Sequence, residues 1–243
     1  DINKVSRSDV NMIVTVNPVT HKILLTSIPR DYYVTLAGKN AKDKLTHSGI
    51  YGIEESVATI ENLLGIDINY YVKVNFTTVP KLVDAIGGID VTSKYAFSAS
   101  TYNYVVGENH LNGASALAFA RERHSFVNGD NQRIKDQQLV VEAMIKKVSQ
   151  SSTILANYTS ILNAVKNNMQ INMTQNEIKS LVKMQISDMS GWDIEKVSLT
   201  GTGDINTTYS MGSMRLYVMV PNNESIVAAV DKIAATMEVP DSK

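Results

Sequence analysis

Two β-branched runs near the start of the chain set the first constraint on its fold. Asp9 to Val16 carries Val10, Ile13, Val14 and Val16, and Lys22 to Ile28 is a second apolar run. Asn17-Pro18 turns the chain between them, so the pair predicts a β-hairpin. Pro29 ends the second strand, because proline has no amide hydrogen to give a sheet ladder. Arg7-Ser8-Asp9 starts the first strand and Arg30-Asp31 follows the second. In an antiparallel pair those positions share the open end, so two motifs distant in sequence become neighbours.

The rest of the chain alternates strand and helix signals. Lys39 to Gly49 is polar and glycine-containing, which predicts a loop holding His47. The spacing of Val57, Ile60, Leu63 and Leu64 predicts a helix over Ile53 to Leu64, capped by Gly65. A strand at Asn69 to Val74, a helix at Phe76 to Ile86 and a strand opening at Ile89 follow, then a polar, aromatic excursion from Thr92 to Asn109. Asn112 predicts the cap of a short helix through Ala120, with Arg121 to His124 at its C-terminal end. Asp130 or Asn131 predicts the cap of a long helix to about Gln150. Helices are expected at Thr153 to Asn167, Thr174 to Ser187 and Asn223 to Met237, with strands at Ile194 to Leu199 and Arg215 to Val220. This order predicts an α/β (mixed α+β) fold: a central mixed sheet flanked by helices, as a three-layer α-β-α sandwich. With 243 residues, 44% of them apolar, the chain has material for one sizeable core, and one domain over 1–243 is expected.

Charge usage points to a ligand. The chain has six arginines against seventeen lysines, and only Arg215 lies outside the four motifs holding Arg7, Arg30, Arg121 with Arg123, and Arg133. A guanidinium fork matches phosphate oxygens in a way an ammonium does not. With Gln137, Asp9, Asp31 and Asp136, the arginines form a candidate site for a multiply charged oxyanion such as pyrophosphate. Carboxylates nearby suit a hard cation such as Mg²⁺. Arg133 and Gln137 share a helix face, whereas Arg121 and Arg123 converge only if their helix stops between them. The competing reading is that each Arg–Asp motif is a local ion pair worth about 0–1 kcal/mol. Asp130 and Asp136 read as a cap and a helix-surface charge rather than metal ligands.

Other chemistries find little support. The net charge of −1 gives no basic field for nucleic acid. The absence of cysteine excludes thiol catalysis, disulfides and thiolate metal sites. No Gly-Lys-Ser/Thr phosphate loop and no Gly-x-Ser-x-Gly elbow occur, and Gly201-x-Gly203 lacks the third glycine of a dinucleotide fingerprint. His21, His47, His110 and His124 are scattered, without zinc-site spacing. No apolar run reaches the roughly 20 residues of a spanning helix. The sequence reads as an excised soluble domain, so any anchor would lie outside it.

Several motifs together resemble the LytR-CpsA-Psr family. They are Arg7-Ser8-Asp9, Ser27-Ile28-Pro29-Arg30-Asp31, Lys44-Leu45-Thr46-His47-Ser48-Gly49-x-Tyr51-Gly52, Asp84-Ala85-Ile86-Gly87-Gly88-Ile89-Asp90-Val91, Leu111-Asn112-Gly113-x-x-Ala116-Leu117-x-Phe119-x-Arg121-x-Arg123 and Asp130-x-x-Arg133-x-x-x-Gln137-Gln138. They run in family order over about residues 5 to 150, and look most like the extracellular catalytic domain of a streptococcal capsule-type member. The resemblance implies a domain outside a Gram-positive cell on a membrane anchor. It implies a phosphotransferase that moves capsular polysaccharide or a related glycopolymer from a polyprenyl-pyrophosphate carrier to peptidoglycan with Mg²⁺.

Carried over by motif, the pyrophosphate-binding residues are Arg30, Arg121, Arg123, Arg133 and Gln137, with Arg7 and Lys44 as additional contacts. Asp9 would be a metal ligand and the best candidate base, and Asp31 would orient Arg30 or support the metal. Asp9, Arg30, Arg121 and Arg123 form the implied catalytic set. The lipid tail would enter a hydrophobic tunnel, with Ala116, Phe119, Val140 and Met144 as candidates beside their ordinary reading as core. The family's opening strand, ending in Gly-x-Asp with a metal-binding aspartate, has no counterpart ahead of Arg7. Two other functions compete with transfer: a regulatory or lipid-linked-polymer-binding module, and a polyprenyl-pyrophosphate pyrophosphatase.

Overall fold

The computed structural model describes residues 2, 5–75 and 77–239. In chain order the strands and helices are β1 (Asn11–Asn17), β2 (Lys22–Ile28), β3 (Tyr33–Leu36), β4 (Ala41–Lys44), α1 (Leu45–Ser48), α2 (Ile53–Leu64), β5 (Val72–Val74), α3 (Thr78–Ala85), β6 (Ile89–Ser93), β7 (Phe97–Ala99), β8 (Tyr102–Tyr104) and β9 (Gly107–Leu111). They continue with α4 (Gly113–Arg121), α5 (Gly129–Ser149), α6 (Ser152–Ala156), α7 (Tyr158–Val165), β10 (Met169–Ile171), α8 (Gln175–Asp188), β11 (Asp193–Ser198), β12 (Gly201–Thr208), β13 (Gly212–Pro221) and α9 (Asn223–Met237). The fold is mixed α+β, as expected. Two compact units divide it: a hairpin unit of residues 5–71 with 193–239, and a helical unit of residues 72–192.

The hairpin unit holds the mixed sheet, in the order β1-β2-β11. β1 and β2 pair antiparallel from Asn11↔Ile28 to Asn17↔Lys22, and β11 joins β2 parallel. β2 is buried on both faces from Ile23 to Ile28, which suits its continuous apolar run. Leu24 and Ile28 pack with Tyr32, Leu45, Ile60 and Leu64, and with Ala229 and Ile233 of α9. α2 spans the expected residues, and its chain reverses at Gly65 with φ 66°, a left-handed conformation that glycine adopts without strain. Two hairpins, β3–β4 and β12–β13, complete this unit.

The helical unit is built around Val83, Ile89, Val91, Ala116, Phe119 and Val140. The family's implied tunnel residues Ala116, Phe119 and Val140 lie in this core, with Met144 packed against it. A separate apolar cleft of about 360 Å³ lies between the end of α3 and α6–α7, lined by Ile86, Ile154, Ile161 and Ala164 among others. Met169–Ile171 pairs antiparallel with Val72–Val74.

Several expectations are corrected. The loop expected over Lys39 to Gly49 is instead strand β4 and helix α1, and His47 is buried there. The excursion after Thr92 resolves into β7–β8 and a β9 paired with β6. The helix expected from Thr153 to Asn167 breaks at Asn157, whose backbone leaves α-geometry. Phe76, the expected start of α3, lies outside the described residues.

Candidate functional site

In the hairpin unit, the expected neighbours at the open end of β1–β2 do meet. Arg30 Nη1 lies 2.8 Å from Asp9 Oδ1, and Arg30 Nε lies 3.5 Å from Asp31 Oδ2. Lys44 Nζ lies 2.9 Å from Asp31 Oδ1. Cations and carboxylates therefore alternate along one chain: Asp9, Arg30, Asp31, Lys44. Arg7 is exposed beside them in sequence.

Backbone hydrogen bonds fix this cluster. Pro29 to Tyr32 is a turn closed by the Tyr32 amide on the Pro29 carbonyl, which places Arg30 and Asp31 at its two central positions. The first amides of α1 then reach back, Leu45 to the Tyr32 carbonyl and Thr46 to the Arg30 carbonyl, both at 2.8 Å. The Ser8 amide donates to the Thr46 carbonyl at 2.9 Å, which ties the Arg7 segment to α1. Gly49 makes that crossing feasible: a β-carbon there would sit 2.4 Å from the Ser6 carbonyl oxygen.

Beneath Lys44 is a buried polar cluster that sequence reasoning missed. Asp43 and His47 are fully enclosed, and Asp43 Oδ1 lies 2.6 Å from His47 Nδ1. Asp43 also accepts from the Lys44 amide and from the Ser210 amide and hydroxyl. Burial pushes the Asp43 carboxyl up, but the hydrogen bonds from His47, Ser210 and Lys44 outweigh it and hold it below the usual carboxylate range. The cluster joins β4 and α1 to the turn at Ser210, a long-range contact with no local signature. It is not a nucleophile relay, because Ser210 and His47 both bond to Asp43.

In the helical unit, α4 begins where Asn112 accepts from the Ser115 amide, as expected of its cap. The Gly113 amide donates to Asp84 Oδ1 at 2.7 Å. The helix ends at Arg121, and Glu122 is extended (φ −65°, ψ 136°). This is the break that Arg121 and Arg123 need to escape opposed helix faces. Burial pushes the Glu122 carboxyl up, but backbone N–H bonds from Ser125, His124 and Arg123 and the Ser125 hydroxyl together outweigh it and hold the carboxyl below the usual range. Glu122 thus ties down the turn between the arginines, a role its sequence position did not signal.

At the start of α5, Asp130 Oδ1 lies 3.0 Å from Arg133 Nη2 and 3.8 Å from Arg123 Nη1. Asp130 is not the expected cap, since α5 begins after Asn128 with no side-chain cap. Instead it holds two guanidinium groups together and complements the helix N-terminus. Gln137 donates to the Ala120 carbonyl at 3.3 Å, which joins α5 to the end of α4. Asp136, expected on the helix surface, is only 1% exposed, with Oδ1 bonded to Gln132 and Oδ2 buried without a partner. Burial pushes its carboxyl up to about 7. It belongs to the packing of α5, not to a solvated face.

Each cluster suits an oxyanion. The guanidinium groups of Arg30, Arg123 and Arg133 are positioned by carboxylates before any ligand arrives, which lowers the ordering cost of binding. Asp9 and Asp31 are hard oxygen donors flanking Arg30. No group of three or more acidic or histidine side chains suited to a metal occurs among the described residues. Two carboxylates fit Mg²⁺, which takes one or two of them and fills its shell with phosphate oxygens and water. No described helix is long and apolar enough to cross a membrane.

Comparison with known proteins agrees with these motifs. The chain is 36% identical over 198 residues to the polyisoprenyl-teichoic acid–peptidoglycan teichoic acid transferase TagU of Bacillus mycoides, covering 81% of this chain and 64% of that protein. It thus spans somewhat under two thirds of that relative's length. The crystal structure of B. subtilis TagU superposes with a TM-score of 0.75 at 31% identity, covering 99% of this chain and 96% of the solved one. TagT, solved bound to LIIa-WTA, gives 0.77 at 25% identity, covering 96% and 86%. The family model of the LytR_cpsA_psr family matches residues 1–225. With Arg30, Arg123 and Arg133 of its motifs held in place by carboxylates, the chain belongs to the LytR_cpsA_psr family.

Proposed function

We propose that this chain is the phosphotransferase domain of a glycopolymer ligase, acting on a polyprenyl-pyrophosphate-linked polymer with peptidoglycan as acceptor. The alternating Asp9–Arg30–Asp31–Lys44 chain carries the reading, because it presents two fixed cations beside two metal-type carboxylates. The TagU names of the relatives support the same chemistry. Capsular polysaccharide and teichoic acid are both polymers of the class this chemistry moves.

Arg30 and Lys44, with Arg7, bind pyrophosphate oxygens in the hairpin unit; within the helical unit, Arg121, Arg123, Arg133 and Gln137 form an oxyanion-binding cluster of their own. An acceptor hydroxyl attacks the phosphorus that carries the polymer. A new P–O bond forms, the P–O–P bridge breaks, and polyprenyl phosphate leaves. Charge grows on the leaving phosphate, and fixed guanidinium groups stabilise it there with little reorganisation. Mg²⁺ held by Asp9 and Asp31 would supply further charge neutralisation at the phosphate oxygens. Asp9, half-exposed on Arg30, is the side chain to take the acceptor proton when the metal does not engage it fully. The domain works on the outer face of a Gram-positive membrane, anchored by a segment beyond residues 1–243.

The test incubates the purified chain with a polyprenyl-pyrophosphate-linked glycan, with and without a peptidoglycan fragment, in Mg²⁺ or chelator. Acceptor-dependent release of polyprenyl phosphate that stops on chelation is the expected result. Release without an acceptor makes the chain a pyrophosphatase. Binding without release makes it a carrier or regulatory module.

A further inference from the structure

The one arginine outside the signature motifs, Arg215, and the glycine pair Gly201-x-Gly203 find their use together. Both lie in the β12–β13 hairpin, whose register sets Gly203 opposite Met219, Ile205 opposite Tyr217 and Thr207 opposite Arg215. Arg215, Tyr217 and Met219 therefore share one face of the hairpin with Gly203, Ile205 and Thr207. A β-carbon on Gly203 would lie 2.9 Å from Tyr217 Cε2 and 3.2 Å from its hydroxyl oxygen. The missing side chain lets the phenol ring lie across β12, and Tyr217 remains 46% exposed.

The ring is tied to the cation cluster of the same unit. Lys44 Nζ is 6.0 Å from the ring centroid while it pairs with Asp31. The Met219 amide donates to the Asp31 carbonyl at 2.7 Å. Residue 219 lies two places from residue 217 on the same face, so the backbone that seats Asp31 also seats the ring. Two places before Tyr217 on the same face, Arg215 Nη2 donates to the Ile205 carbonyl at 2.7 Å, which fixes a second cation there. A half-exposed aromatic ring with a phosphate-binding lysine 6.0 Å from its centroid suits a ligand ring with an apolar C–H side and an anionic neighbour.

We propose that Tyr217, laid down over Gly203, is the stacking platform for the first sugar of the carrier-linked polymer, the pyranose joined directly to the pyrophosphate. This rests on the reading of Lys44 and Arg30 as pyrophosphate-binding groups. The axial C–H bonds of a pyranose carry partial positive charge and meet the negative face of the phenol ring. Lys44 then reaches the phosphate on one side of that sugar. Arg215 reaches anionic substituents on the sugars that follow.

The test compares binding of farnesyl pyrophosphate with that of farnesyl-pyrophosphoryl-N-acetylglucosamine to the full chain by calorimetry. The wild type is expected to bind the sugar-bearing ligand roughly five- to tenfold tighter. Tyr217→Ala should erase that difference while leaving farnesyl pyrophosphate unchanged, and Tyr217→Phe should retain it. Gly203→Ala pushes only the movable tip of the ring, so it should fold and still lose the sugar increment. Equal binding of the two ligands by the wild type, or equal weakening of both by Tyr217→Ala, overturns the platform alone. Failure of both ligands to bind overturns the pyrophosphate assignment beneath it.

Discussion

The carbonyl oxygen of Arg123 lies 1.9 Å from where a β-carbon on Gly129 would stand. The backbone of the second arginine in the Arg-x-Arg motif therefore rests directly on the first residue of α5. The obstacle is main chain, not a side-chain tip that can swing aside. Gly129→Ala must displace Arg123 without altering the charge of the chain. Binding of farnesyl pyrophosphate, read by calorimetry, should weaken roughly tenfold or more, the scale of one lost charge-assisted contact. Circular dichroism should stay native-like, and unchanged affinity would remove Arg123 from the site.

Arg30 tests whether the cluster needs a fork or merely a charge. Its Nη1 and Nε engage Asp9 and Asp31 on different sides. Lysine offers one compact ammonium and no fixed plane. Arg30→Lys is therefore expected to lose transfer nearly as completely as Arg30→Ala. Wild-type turnover by the lysine variant would show that positive charge alone suffices.

Asp43 bears on stability rather than chemistry. It is enclosed and accepts hydrogen bonds from His47, Lys44 and Ser210. Asp43→Ala leaves several buried donors unpaired and should cost about 3 kcal/mol or more in chemical denaturation. Its carboxyl is held below the usual range. The wild-type contribution is therefore complete above the ordinary aspartate pKa and is lost as pH falls through the lowered one. The gap between wild type and Asp43→Asn should narrow in acid, and a gap constant down to pH 2 would contradict this.

Asp136 has the opposite sign. Burial raises its carboxyl to about 7, so between the ordinary aspartate pKa and pH 7 the folded chain binds more protons than the unfolded one. Stability then falls as pH rises through that window and levels off above it. Asp136→Asn keeps an acceptor for Gln132 and cannot ionise. Its melting temperature should exceed the wild type's by several degrees at pH 8 and differ little at pH 4. Equal shifts at both pH values would show that the carboxylate is stabilised in some other way.

The parts of this molecule that were legible in the sequence are those whose geometry is local. An antiparallel register dictates that Asp9 and Arg30 meet, and the β1–β2 pairing delivers them. α2 and α9 have the expected bounds because apolar spacing and caps agree there. β12 escaped notice because Gly201, Thr202, Gly203 and Asp204 give no alternating apolar pattern. Its role appears only against Tyr217. The burial of His47 was hidden because Asp43, its partner, is enclosed by a turn at Ser210 that lies far along the chain. Asp136 occupies a polar position of an amphipathic helix, and only the packing around α5 decides that it is enclosed.

Arg7, Arg30 and Lys44 also share a mount. Ser8 bonds to Thr46, Thr46 to the Arg30 carbonyl and Leu45 to the Tyr32 carbonyl, so all three cations hang on the few residues of α1. Freeing one means opening the bonds that carry the others. The amide protons of Ser8, Leu45 and Thr46 should then exchange with solvent at a common rate, as a single opening unit. A passing anion meets either the whole set of charges or none of it.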